Sequence, residues 1–101
     1  MLVHQVYFWL KEPDNAEAIT ALKNGLQNLL TIETIKSGHF GVPADTPARE
    51  VVDHSFSFAY FTSFESLEDH EIYQKHPTHL KFVEDCAHLW EKVQVYDYQY
   101  D

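Results

Sequence analysis

The feature that most limits the possible folds of this chain is a first strand that is apolar on both faces. Residues Leu2–Leu10 read LVHQVYFWL, a run rich in the β-branched and aromatic side chains that favour strands. Alternate residues of a strand point to opposite faces. The even face carries Leu2, His4, Val6, Phe8 and Leu10, and the odd face carries Val3, Gln5, Tyr7 and Trp9. A small antiparallel sheet normally leaves one face to water, so this sheet needs a second cover.

The composition restricts the classes of partner. The chain has 101 residues, which is room for a single domain over residues 1–101. Its 16 acidic and 7 basic side chains give a formal net charge of −9. A protein that binds nucleic acid or an anionic membrane surface must present cations along one face. We therefore expect neither nucleic acid nor membrane as a partner.

The remaining composition predicts a cytoplasmic protein. A single cysteine, Cys86, excludes an internal disulfide and is typical of a reducing compartment. No apolar run approaches the roughly 20 residues that span a bilayer. The start Met1-Leu2-Val3-His4 has no basic segment of the kind that opens a signal peptide. Cys86 lies on an apolar helix stripe, so we interpret it as a small buried hydrophobe.

The first half of the chain predicts one helix between two strands. Asp14 and Glu17 have the spacing of a capping box, and apolar residues at helical spacing follow them. These residues are Ile19, Leu22, Leu26 and Leu29. The pattern predicts a helix over residues 15–30, a short strand over 34–42, and then a proline-containing loop.

The second half predicts a strand, two helices and a closing strand. Residues 54–64 should alternate, with Phe56, Phe58 and Tyr60 on one face and Ser55, Ser57 and Ala59 on the other. A helix opened by Ser66 and Asp69 should reach Tyr73, and the His76-Pro77 step should start another. The third helix has an apolar stripe of His79, Phe82, Val83, Cys86 and Leu89. Residues 91–100 form the last strand.

The resulting order, β-α-β-β-α-α-β, predicts a ferredoxin-like α+β fold with its second helix broken. The helices cover one face of a four-stranded antiparallel sheet. The other face, with Tyr7, Trp9 and the Ser55, Ser57 and Ala59 row, is too apolar to be left to water. A two-fold homodimer through this outer face is the commonest way to cover it. A monomer with a mixed outer face is the alternative.

Blocks along most of the chain resemble one known family. They are residues 3–6, 64–73, 76–79 (HPTH), 90–93 and 96–98. On these blocks the sequence resembles the stress-responsive A/B barrel (Dabb) family. The resemblance implies a homodimer in which two sheets face each other as an α+β barrel, in agreement with the second cover that the first strand requires.

The same resemblance implies a set of site residues. From Phe64 to Tyr98 the chain is similar to plant polyketide cyclases of the olivetolic acid cyclase type. By that similarity His79 is a catalytic base, Tyr73 assists it, and His4 and His54 are histidines of the substrate pocket. The first helix and the loop of residues 42–53 show little similarity, so the identity of the substrate does not transfer.

The chemistry of these residues agrees with such a site. If His4, His54, Tyr73 and His79 share the core face, they form a few polar groups in an apolar space, which is typical of a small-molecule pocket. His79 follows Pro77 in the first turn of a helix, where the helix dipole and burial both disfavour its charged form. A neutral His79 can accept a proton, and the Tyr73 hydroxyl can donate a hydrogen bond to an oxyanion. A buried histidine is nevertheless more often a core residue whose ring nitrogens are hydrogen-bonded within the protein. A tyrosine on a half-buried helix usually packs against the core without a catalytic role.

No cofactor is predicted. His76 and His79 are three residues apart, but Pro77 separates them across a helix start and no third ligand joins them, so zinc is not expected. Some members of the family that the chain resembles hold magnesium on backbone carbonyls. By that resemblance such a site would fall on Leu29, Ile32 and Ile35.

Three functions are compatible with the sequence. The first is a cyclase-like lyase that closes a polyketide or other 1,3-dicarbonyl compound by an intramolecular aldol reaction, with His79 as base. The second is a non-catalytic dimeric stress or ligand-binding protein that holds an apolar molecule in the same pocket. The third is a monooxygenase, which rests on fold analogy alone.

Overall fold

The strand of residues 2–10 lies inside a four-stranded antiparallel sheet, hydrogen-bonded to a neighbour on each side. The computed structural model describes residues 1–101. Its elements are, in order, β1 (Leu2–Leu10), α1 (Ala16–Leu29), β2 (Ser37–Gly41), β3 (Phe58–Phe64), α2 (Leu67–Lys75), α3 (Pro77–Cys86), a short 3-10 helix (Ala87–Leu89) and β4 (Trp90–Gln99). This order and the sheet order β2-β3-β1-β4 confirm the predicted ferredoxin-like α+β fold.

The pairing of β1 decides which side chains meet under the helices. β1 runs antiparallel to both neighbours, with Val6 opposite Tyr60 of β3 on one edge and opposite Val95 of β4 on the other. The even residues of β1 are each at most 7% exposed. On the odd face Val3 is buried as well, whereas Gln5, Tyr7 and Trp9 are only half-buried within one chain. The two faces of β1 therefore differ as the sequence predicted, with the core on the even side.

The core lies between the sheet and the helices. Leu22 and Leu26 of α1 are fully buried and belong to one apolar cluster with Phe82 and Cys86 of α3. Gly25 lies where α1 meets α3, and a β-carbon there would come within 2.9 Å of both Cys86 Sγ and the Phe82 ring. The missing side chain lets the two helices approach closely. Cys86 is 4% exposed, which confirms its interpretation as a buried hydrophobe.

The helix starts agree with the sequence except at α1. The Asn15 side chain accepts the N–H of Ala18 at 3.1 Å, so Asn15 and not Asp14 caps this helix. The prediction was one residue early because either side chain can cap a helix and the spacing alone does not choose between them. Ser66 caps α2 and Pro77 opens α3, as predicted. No helix has the length and apolar composition needed to cross a bilayer.

The third strand is shorter than predicted. β3 begins at Phe58, four residues after the predicted start at His54. Just before it, the Ser57 hydroxyl accepts the backbone N–H of Leu10 at 3.1 Å. The N–H of Leu10 thus pairs with a side chain instead of with a backbone carbonyl of a neighbouring strand. Residues 42–57 form a long connection without helix or strand.

Phe56 lies on the opposite side of the sheet from the predicted one. The alternation placed it with Phe58 and Tyr60 in the core. Its ring instead packs against Tyr7 and Trp9, at centroid distances of 5.2 and 6.5 Å. The prediction was wrong because strand alternation stops at Phe58. The long connection therefore contributes an aromatic ring to the outer face.

Replacing Gly25 with Val should lower the free energy of unfolding by about 1–3 kcal/mol, because the added carbons overpack the contact between α1 and α3. The matched control Asn24→Val places the same side chain on the neighbouring exposed position of α1, where we expect a change within about 0.5 kcal/mol. Urea unfolding followed by circular dichroism measures both. Equal stability of the two variants would contradict the close approach of the helices.

Candidate functional site

A cavity of about 210 Å³ lies between the helix side of the sheet and helices α2 and α3. Its polar lining is His4, Tyr73, Gln74 and His79, and its other walls are Val6, Phe8, Leu29, Tyr60, Phe82, Val83, Trp90, Val93 and Val95. A mostly apolar wall with a few polar groups is typical of small-molecule sites. The volume is below the roughly 300–1,000 Å³ of pockets for drug-sized ligands, which favours a ligand of few atoms.

The cavity is open to solvent along β4. Val93 and Val95 line it and are each 42% exposed. They lie on the helix side of the sheet, opposite Phe8 and Val6 of β1. β4 is an edge strand of the sheet, and this edge gives a ligand a route to the polar groups inside.

Three of the four predicted site residues meet at this cavity. His4 comes from the even face of β1, Tyr73 from the last turn of α2 and His79 from the first turn of α3. The helix break at His76 brings the last two together, with their rings 5.0 Å apart and edge to face. In a continuous helix the six steps from residue 73 to residue 79 turn by about 600° around the axis, at about 100° per residue. The two side chains would then point to different sides.

The fourth predicted residue, His54, lies elsewhere. It sits before β3, in the connection of residues 42–57, where its Nε2 is 2.8 Å from the Thr46 hydroxyl. The prediction that put His54 on the third strand was wrong because that strand begins at Phe58. His54 is not among the residues that line the cavity.

The ring of His4 is held by a carboxylate that the sequence analysis did not identify. His4 is 4% exposed, and its Nδ1 is 2.6 Å from Oδ1 of Asp97. A carboxylate accepts hydrogen bonds, so Nδ1–H of His4 donates to Asp97. The two residues are directly opposite on β1 and β4. Only the register of that strand pair could have revealed the contact.

Tyr73 is paired with a second tyrosine that the sequence analysis assigned to the core. The hydroxyls of Tyr73 and Tyr60 are 2.9 Å apart, and both side chains are buried. Burial raises the pKa of Tyr73 to about 12, although the hydrogen bond from Tyr60 opposes the rise. Burial also raises the pKa of Tyr60, further increased by Tyr73 beside it. Both phenols therefore stay neutral at physiological pH and one donates to the other.

His79 is an imidazole without a protein partner. Its Nδ1 is buried and makes no hydrogen bond. Burial is the main cause that lowers its pKa, and His4 and His70 add to the effect. The ring is therefore neutral at pH 7, as the sequence predicted, and its proton-accepting capacity is not used by the protein.

His70 is a further histidine at the site that sequence reasoning missed. It projects from α2, and its ring centroid is 4.7 Å from that of His4. Burial lowers its pKa most, His4 lowers it further, and Asp97 acts in the opposite direction. Because α2 has no clear apolar stripe, helical periodicity gave no signal that His70 faces inward.

Residues of both metal sites weighed in the sequence make hydrogen bonds within the protein. His76 Nδ1 accepts the N–H of Thr78 at 3.0 Å, so this ring acts as a helix cap. The backbone carbonyls of Leu29 and Ile32 accept the N–H groups of Ile32 and Ile35. Magnesium on the carbonyls of Leu29, Ile32 and Ile35 stays a prediction.

Comparison with known proteins identifies relatives of this chain. The family model of the stress-responsive A/B barrel domain (Dabb) matches residues 2–100. A search of curated protein sequences gave no match.

Solved structures with the same fold cover nearly the whole chain. A protein of Arabidopsis thaliana is 27% identical, with a TM-score of 0.80 over 100% of this chain and 96% of that one. The hydroxynitrile lyase from Passiflora edulis is 26% identical, with a TM-score of 0.78 over 96% of this chain and 90% of that one. A dimeric protein with a ferredoxin-like fold from Bacteroides fragilis is 21% identical, with a TM-score of 0.74 over 98% of this chain and 95% of that one.

The lowered pKa values predict how stability depends on pH. His70 and His79 should titrate below the ordinary value of 6.5. Because these pKa values are lower in the folded than in the unfolded chain, unfolding leads to proton uptake by the two imidazoles at mildly acidic pH. Their contribution to the free energy of unfolding is therefore present above pH 6.5 and is lost as the pH falls through their folded-state pKa values. Proton–carbon NMR of the ring positions measures the titrations, and urea unfolding at pH 7 and 5 measures the loss. Titration of both rings at or above 6.5 would contradict their burial.

Proposed function

This chain belongs to the stress-responsive A/B barrel domain (Dabb) family, and we propose that it binds a small carbonyl compound and acts on it as a proton-transferring lyase or cyclase. The observation that carries the proposal is the meeting of His4, Tyr73 and His79 at one otherwise apolar cavity. Apolar walls limit the contact of these polar groups with water, and a drier environment strengthens each polar interaction with a bound substrate. The substrate class that fits is a compact 1,3-dicarbonyl compound.

His79 is the proposed general base. Its neutral ring takes a proton from the carbon between the two carbonyls, and the electron pair of the broken C–H bond moves onto a carbonyl oxygen. In a cyclisation the substrate carries a third carbonyl further along the same molecule. The carbanion carbon attacks the carbon of that group, the C=O electron pair becomes an alkoxide, and the alkoxide takes the proton back from His79. Protons and electrons balance without a co-reactant.

Tyr73 is the proposed hydrogen-bond donor to the oxyanion. Its pKa of about 12 keeps the phenol protonated throughout. For Tyr73 to donate to the substrate, the Tyr60 hydroxyl must donate to the Tyr73 oxygen, and their 2.9 Å separation allows this. A hydroxyl that accepts one hydrogen bond becomes a better donor in the next.

His4 is proposed to orient the substrate. Because Asp97 holds Nδ1–H at 2.6 Å, the ring has one fixed orientation in the cavity wall. His54 was predicted to share this role, but it lies outside the cavity, so the role falls to His4 alone. The likeness to a hydroxynitrile lyase supports lyase chemistry in this fold.

The protein is further proposed to act as a homodimer through the outer face of its sheet. That face carries half-buried Tyr7 and Trp9 together with Tyr96 and Tyr98, which are 57% and 50% exposed. Exposed aromatic patches of this kind mark protein interfaces. A solved structure with the same fold is described as dimeric, which supports dimerisation.

Replacing His79 with Ala should slow catalysed proton exchange by about 10²–10⁴-fold, because the base is lost. The measurement is deuterium incorporation into the methylene group of a small 1,3-dicarbonyl probe such as pentane-2,4-dione, followed by NMR. Tyr73→Phe should slow exchange as well, because the oxyanion loses a donor. The control His88→Ala removes an exposed histidine outside the cavity and should leave the rate unchanged.

Two results would decide against the enzyme. A folded His79→Ala protein with the rate of the original chain would remove His79 as the base. Binding of the probe without any catalysed exchange by the original chain would instead favour the non-catalytic ligand-binding protein.

Replacing Tyr96 with Glu should convert the dimer to monomer, because a buried, unpaired carboxylate is costly in an apolar interface. The matched control is Leu80→Glu on α3, since Leu80 is 58% and Tyr96 is 57% exposed in the single chain. Light scattering after size-exclusion chromatography measures the mass. A monomer before any substitution, or a dimer that survives Tyr96→Glu, would contradict the proposed interface.

A further inference from the structure

We propose that His4, His70 and Asp97 form a binding site for a divalent transition-metal ion of the zinc type at the edge of the cavity. Each residue offers one ligand atom, and the three atoms all lie within 4.8 Å of one another. This inference goes beyond the proposed function, in which His79 and Tyr73 carry the chemistry and no metal takes part.

The three ligands come from three different elements of the fold. His4 and Asp97 are opposite each other on β1 and β4, and their ligand atoms are 2.6 Å apart. His70 comes from α2, with its ring 4.7 Å from that of His4. Two of the ligands are thus fixed by paired strands, and the third is held by a helix packed above them.

Small side-chain movements complete the geometry of a metal site. Zinc bonds of about 2.0–2.2 Å in a tetrahedron place neighbouring ligand atoms roughly 3.3–3.5 Å apart. The ion would replace the proton between His4 Nδ1 and Asp97 Oδ1, which leaves the neutral His4 ring with its proton on Nε2. The 2.6 Å contact would then open slightly, and His70 would move inward. Movement of His70 breaks one side-chain hydrogen bond, 3.2 Å from its Nε2 to the Gln74 amide.

The ligand types favour zinc or a similar ion over magnesium. Two imidazoles and one carboxylate suit zinc, iron and cobalt, whereas magnesium prefers oxygen ligands. Three protein ligands leave a fourth position for water or a substrate atom, as in catalytic zinc sites. His4 also lines the cavity, whereas His70 and Asp97 do not, so the ion would lie beside the cavity rather than inside it.

The burial of the ligands separates this cluster from a chance group of surface side chains. His4 is 4% exposed, and His70 is half-buried among aromatic rings, with Phe64 at 5.2 Å. Asp97 is the one ligand open to solvent, with its side chain 44% exposed. An ion can therefore enter from the β4 side and be partly shielded once bound.

The test uses cobalt as a spectroscopic probe for zinc. The chain is stripped of metal with a chelator and titrated with Co²⁺. We expect one ion per chain with the visible absorption of a four-coordinate site, and we expect Zn²⁺ to displace it.

His70→Phe keeps the aromatic packing and should weaken cobalt binding at least tenfold. Asp97→Asn, at a half-exposed position, should weaken it as well. The control His88→Phe removes an exposed histidine in the short 3-10 helix before β4 and should bind as the original chain does.

Specific outcomes overturn the site. The first is that the original chain does not bind cobalt. The second is that the folded His70→Phe and Asp97→Asn variants bind cobalt as tightly as the original chain. Either result means that His4 and Asp97 form only a hydrogen bond. This result is distinguishable from a failure of the proposed function. If the protein does not bind cobalt but still catalyses proton exchange, the metal site is wrong and the proposed function stands. If the protein binds cobalt but does not catalyse exchange, only the proposed function is wrong.

Discussion

The hydrogen bond between His4 and Asp97 is the contact on which the candidate site depends most. An imidazole buried in an apolar core is costly unless its polar atoms are paired, and Asp97 supplies that partner from the neighbouring strand at 2.6 Å. The edge position of β4 lets Asp97 keep part of its own hydration, with 44% of its side chain exposed. A slip of one residue between β1 and β4 would turn Asp97 to the outer face and bring a tyrosine inward. The ring orientation and one wall of the cavity therefore follow from a single strand register.

Local patterns in the sequence were enough to predict the fold and half of the site. The two apolar faces of β1 follow from alternation, and the start of α3 follows from the proline at position 77. The closeness of Tyr73 and His79 follows from the same helix break. Each of these inferences depends on residues a few positions apart, and short-range geometry leaves little freedom at such separations.

The residues that were missed depend on pairing between distant parts of the chain. Asp97 meets His4 across 93 positions, and a list of residues does not contain the register of that strand pair. His70 lies on a helix with weak amphipathic character, so its inward side is decided by tertiary packing. His54 failed for a related reason, because alternation was extended beyond the point where β3 begins. The start of this strand depends on side chains such as Ser57, whose hydroxyl accepts a backbone N–H of β1 that could otherwise bond to a strand carbonyl.

The HPTH segment shows that two neighbouring histidines can have separate duties. His76 uses Nδ1 to accept the N–H of Thr78, which fixes the proton of the neutral ring on Nε2, 3.3 Å from a Glu33 carboxylate oxygen. One ring is thus occupied on both sides by the scaffold, while His79 is left without a partner. The first imidazole anchors the start of the helix that carries the second, so the His79 ring keeps its place without a hydrogen bond of its own.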